Sequence, residues 1–100
     1  MAKKHILIFD KKYELLETPY ADTARENMGW QDTVKLLIWV NPAMAEDQRR
    51  STLIHECVHA IEMSLGLNLT ETQVQGLETG LFMMGFTPIV EEEADDNVPC

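Results

Sequence analysis

The apolar and polar positions of this chain change period twice. In "HILIFDKKYELLE", residues 5–17, a β-rich apolar run is broken by charge at Asp10, Lys11 and Lys12. After the break, Tyr13, Leu15 and Glu17 alternate weakly with Glu14 and Leu16. Short period-two runs separated by charge predict two short strands or one bent strand. "DTVKLLIWVNP", residues 32–42, is the clearest strand, a β-branched and aromatic run stopped by Asn41-Pro42. Between these lies "TPYADTARENMGW", which admits two readings. Thr18 can cap a helix that has Pro19 at its first position and Gly29 just past its end, or the segment is a long irregular connection.

From about Ala45 the period becomes helical. Leu53 or Ile54, Val58, Ile61 and Leu65 recur at helical spacing, and Gly66 stands where a C-terminal cap belongs. Thr70 and Gln73 have the spacing of a capping box and predict a second helix. Val74, Leu77, Leu81 and Met84 share its apolar face, and Gly85 ends it. After Pro88 the chain is acidic and poor in apolar residues, as expected of a flexible tail. These elements predict an α+β fold in one domain, residues 1–88. The domain is a small, mostly antiparallel sheet covered by two helices, with an acidic tail at 89–100.

Charge narrows the range of partners. The formal net charge is -9, and all eight Lys and Arg fall in residues 1–50, where eight Asp and Glu balance them. Residues 51–100 hold nine acidic residues and no Lys or Arg. A field of that sign repels phosphate backbones and anionic lipid, which excludes nucleic acid and membrane as expected partners. No apolar run approaches the roughly 18 to 20 residues that a membrane span requires. The lysines near the start precede a strand rather than a signal peptide, and two cysteines in unlike settings suit a reducing cytoplasm.

The chemistry concentrates in "TLIHECVHAIEM", residues 52–63. On a helix, residues four apart are offset by about 40° around the axis and about 6 Å along it. His55 and His59 therefore project together, and two neutral imidazoles suit Zn²⁺ at about 2.0 to 2.1 Å. Glu56 lies about 100° further round, beside such an ion rather than on it. There a carboxylate can take a proton from a water that zinc has acidified. This is the H-E-x-x-H arrangement. A catalytic zinc needs a third protein ligand. His5 sits at the start of an edge-like strand among lysines, whereas Glu71 and Glu78 share a face of the second helix. A tight helical hairpin favours Glu78, and a connection running back along the first helix favours Glu71. Cys57 points away from the imidazoles and is expected in the core. Met63, Met83 and Met84 are expected as core filler, and Trp39 is expected beneath the first helix.

"TLIHECVHAIEMSLGLNLTETQVQGLETGLF" resembles the short, often phage-encoded members of the ImmA/IrrE-type metallopeptidases, which are compact gluzincin-like, zincin-fold domains. Their pattern is a hydrophobic pair before H-E-x-x-H, then a downstream helix opening E-x-x-[AV]-x-x-[FL]. Here that opening reads Glu71, Thr72, Gln73, Val74, Gln75, Gly76, Leu77. "LLIWVNP" fits the family's strand before the active-site helix, and the likeness spans roughly residues 34 to 86. Gly76 and Glu78 depart from the pattern, and neither Tyr13 nor Tyr20 can be placed to steady an oxyanion. The resemblance implies His55, His59 and Glu71 as zinc ligands and Glu56 as general base. Glu78 is left without a ligand role, so its replacement is expected to change zinc binding little. The implied activity is hydrolysis of a peptide bond in a protein substrate laid along the sheet edge, such as a regulatory protein in the host cytoplasm. The alternative is a non-catalytic, zinc-stabilised phage protein that binds a host factor.

Overall fold

The structure, a computed structural model, describes residues 3–17 and 28–93. The readings of residues 18–27, including the helix capped by Thr18 and the placement of Tyr20, lie outside the described residues. In chain order the elements are β1 (Lys3–Ile8), β2 (Lys11–Leu16), β3 (Gly29–Asp32), β4 (Leu37–Val40), α1 (Glu46–Leu65), α2 (Glu71–Met83) and β5 (Glu91–Glu93). The strands form one sheet in the order β3-β4-β2-β1-β5. Among the described strands only the β2–β4 pair is parallel. The fold is α+β.

Strand alternation and helical period together build the core. Ile6 and Ile8 on β1, Tyr13 and Leu15 on β2, and Ile38 and Val40 on β4 turn to one face of the sheet. They meet Leu53, Cys57 and Ala60 of α1. A second stripe of α1, Ile54 and Val58, packs on Val74, with Leu69, Leu81 and Phe82 around it. The layers are therefore sheet, α1, α2, and among the described elements α2 packs on α1 alone.

That layering explains several departures from the sequence pattern. Only Val74 of α2 is buried, while Leu77 and Met84 on the same predicted face are exposed. Met63, Met83 and Met84, expected as core filler, are 58%, 80% and 82% exposed. They lie beyond the reach of the neighbouring layer. Trp39 is buried but does not join the α1 core. Alternation turns it to the other face of β4, where it stacks on Trp30 at 6.3 Å between ring centroids.

Residues 32–42 are not one strand. Asp32 Oδ1 accepts the backbone N–H groups of Val34 and Lys35 at 2.9 and 3.0 Å, which folds the chain back between β3 and β4. Part of the acidic segment, Glu91–Glu93, is a strand of the sheet. Glu91, Glu92 and Glu93 pair with His5, Lys4 and Lys3, so the acidic run completes the sheet along a basic strand. β1 is consequently an interior strand rather than an edge.

Gly29 opens β3, close against α1. A Cβ there would stand 2.7 Å from the Trp39 carbonyl oxygen, 2.9 Å from Thr52 Cγ2 and 3.3 Å from Glu56 Cγ. Gly29→Ala is expected to destabilise the fold by about 1 to 3 kcal/mol, the range for overpacking a close contact. Denaturant melts of the two proteins check this, and an unchanged midpoint would rule out the close approach.

Candidate metal centre

Local sequence holds the two helices in register. Gly66, in the left-handed region at φ 67°, closes α1 with Leu67 N–H on the Glu62 carbonyl and its own N–H on that of Met63. This Schellman turn is one that glycine makes without strain. Thr70 and Gln73 then form the expected capping box, which starts α2 at Glu71. At the far end, Arg50 donates to the Phe86 carbonyl at 2.8 Å and lies 3.8 Å over the Phe82 ring. The result is a fixed antiparallel helix pair.

On this frame His55, His59 and Glu71 come together, their ligating atoms within 4.8 Å of one another. The two Nε2 atoms are 3.2 Å apart. Glu71 Oε1 is 3.3 Å from His55 Nε2, and its Oε2 is 3.9 Å from His59 Nε2. Each remaining ring nitrogen faces a different carboxylate. His55 Nδ1 is 2.7 Å from Glu78 Oε1, and His59 Nδ1 is 3.1 Å from Glu62 Oε1. A carboxylate only accepts, so these partners assign the imidazole proton to Nδ1 in both rings. Both Nε2 lone pairs and a carboxylate then converge with no donor between them. In the neutral rings this leaves three acceptors in contact, which a proton or a metal ion can join. The group can hold a metal ion.

Glu78, the other candidate for third ligand, faces the opposite ring nitrogen of His55. It holds His55 from behind and also accepts a hydrogen bond from Ser51 Oγ. This geometry sets an expectation against an almost silent loss of Glu78. Outer partners of ligating histidines typically contribute 10- to 100-fold to metal affinity. Glu78→Ala is expected to weaken zinc binding within that range, and Glu71→Ala to weaken it further. Competition against a coloured chelator measures both, and equal affinities for Glu78→Ala and the parent would reject this role.

Glu56 is buried beside the cluster rather than in it. Burial raises its carboxyl above the ordinary range, His55 and His59 draw it back down, and Glu71 and Glu78 add to the rise. It lines a cleft of about 490 Å³ with Met28, Gly29, Thr52, His55, Gln75 and Glu78. The cleft therefore joins His55 to the start of β3, the outermost of the described strands on that side of the sheet.

Other candidates fall away. His5 lies on β1, outside the cluster. Cys57 lies in the core rather than in the cluster, and desolvation pushes its thiol up to about 12. Tyr13 is buried in the core. Glu62 stands outside the H-E-x-x-H spacing, yet it is three residues after His59, a separation at which helical side chains meet. No described helix is long and apolar enough to cross a membrane. No family model, curated protein or solved structure matches this chain.

Proposed function

We propose that the protein is a zinc-dependent peptidase that hydrolyses a peptide bond in a protein substrate, with His55, His59 and Glu71 as ligands and Glu56 as general base. The observation that carries this reading is the convergence of two Nε2 lone pairs and one carboxylate beside a buried glutamate. The donor set is that of a catalytic zinc site, two imidazoles and a carboxylate. Atoms about 2.0 to 2.2 Å from a tetrahedral ion lie about 3.4 Å from one another. The two Nε2 atoms are 3.2 Å apart and each has a different Glu71 oxygen at 3.3 or 3.9 Å, near that value, while one ligand atom from each residue keeps the group within 4.8 Å. Glu78 is engaged by His55 and Ser51, which supports three protein ligands rather than a closed set of four.

Zinc, when bound, acidifies water and polarises a carbonyl. The residues of the chain supply the rest. Glu62 and Glu78 keep both rings turned inward, and Glu56 takes the proton of the attacking water and passes it to the leaving nitrogen. β3 is a sheet edge whose first residue lines the cleft, which suits an extended peptide beside Glu56. The testing experiment is zinc-dependent cleavage of an unstructured protein, abolished by chelation and restored by zinc.

One observation favours a second reading, a zinc-stabilised binding protein. An apolar groove of about 520 Å³ runs along β1 and α1, with Leu7, Phe9, Phe86 and Ile89 exposed around it. Substituting Glu56 separates the two readings.

A further inference from the structure

We infer that Glu62 is a positioning residue that sets two of the three metal ligands at once. The inference rests on the metal-site reading of His55, His59 and Glu71, and it is independent of peptidase activity. The two oxygens of Glu62 have different partners. Oε1 faces His59 Nδ1 at 3.1 Å, and Oε2 accepts the backbone N–H of Leu69 at 2.8 Å. Leu69 immediately precedes Thr70, the cap of α2, and Glu71 is the first residue of that helix. One carboxylate therefore ties the ring of the second histidine to the backbone that delivers the third ligand.

The requirement is for two acceptors between two donors. With its Nε2 lone pair turned toward the cluster, His59 presents Nδ1–H, and Leu69 presents its amide N–H. Glutamate satisfies both. Glutamine offers a single oxygen, and its amide nitrogen would face a donor on the other side. Aspartate is one methylene shorter, too short to span both partners from the same helical position. Glu78 differs in kind, because its contacts with His55 and Ser51 both belong to α1 and leave the interhelical connection untouched. Glu62 alone among the described carboxylates at the cluster bridges a ligand ring and the connection between the helices. Without it, His59 gains rotational freedom. The 67–70 segment keeps the Leu67 bond to the Glu62 carbonyl and the packing of Leu69 but loses its side-chain tie to α1. The cost then falls on two ligands that must be ordered when the ion binds.

The experiment measures Zn²⁺ affinity by chelator competition for the parent, Glu62→Ala, Glu62→Gln, Glu71→Ala and the Glu62→Ala/Glu71→Ala double variant. Circular dichroism of each metal-free protein reports the fold. Both Glu62 variants are expected to bind Zn²⁺ about 10- to 100-fold more weakly, the range for outer partners of ligating histidines. Glu62→Gln keeps the shape and one of the two bonds, so it carries the test if the alanine variant fails to fold. In the Glu71→Ala background the loss from Glu62→Ala is expected to be smaller, because only the effect through His59 remains. Nitrogen-detected NMR of the zinc-loaded protein should show Nδ1–H on His59 in the parent, and its signal broadened or displaced in Glu62→Gln. Parent affinity in Glu62→Gln, or an equal loss in both backgrounds, would overturn the inference. Failure of the parent chain itself to bind Zn²⁺ would instead overturn the metal-site reading beneath it.

Discussion

Replacing His55 and His59 together with alanine is expected to abolish stoichiometric zinc binding and to remove a large part of the thermal stability of the loaded protein. A ligand that binds only the folded state stabilises it by mass action, by about 4 kcal/mol at a thousandfold excess over Kd. One kcal/mol moves the midpoint of a domain this size by roughly 4 to 8 °C. A fall of roughly 15 to 30 °C therefore separates the zinc-loaded parent from the double variant. Chelator is expected to bring the parent down by a similar amount and to leave the variant where it was. Without zinc the two proteins are expected to melt much closer together, because the stabilisation supplied by the bound ion is gone from both. Full zinc content in the double variant would remove the metal centre from the description of this protein.

The core of this site was legible because its geometry is local. His55 and His59 lie one helical turn apart, Gly66 and the Thr70–Gln73 box fix where α1 ends and α2 begins, and the helical period alone sets those positions. What surrounds the rings was less legible. The choice between Glu71 and Glu78 depends on how the short connection returns the chain, and single-residue spacing does not contain that. The structure shows that both glutamates reach His55, from opposite sides of one ring. Glu62 was within reach of a helical-spacing argument, but its bond to Leu69 depends on the path of the connection. In the sheet, the apolar run at 32–42 concealed a turn, because Asp32 caps it with a side chain rather than with glycine or proline. The acidic residues 91–93 read as solvated until the basic strand opposite them was known. The exposed methionines mark the limit of the helical pattern, which identifies an apolar face without showing whether a neighbouring layer covers it.

Glu56→Gln is expected to keep zinc and fold while losing cleavage by about 10² to 10⁴, the usual contribution of a positioned general base. The substitution retains shape and burial and removes only the titratable carboxylate. Zinc content should stay equal to the parent's, since Glu56 is not among the converging ligand atoms. The metal-free protein offers an independent check on the environment of this side chain. Burial raises the Glu56 carboxyl above its unfolded value, so the folded state holds that proton more tightly than the unfolded state does. Stability of the metal-free parent should then decline as pH rises from the unfolded carboxylate value through the raised one, and Glu56→Gln should lack this part of the slope. Cleavage of an unstructured protein and the effect of expression in cells are the functional readouts. If Glu56→Gln cuts as fast as the parent, Glu56 is not the base. If the parent cuts nothing, and its cellular effect survives Glu56→Gln but is lost with His55→Ala and His59→Ala, the metal acts as a structural staple. The apolar groove along β1 and α1 then becomes the working surface of the protein.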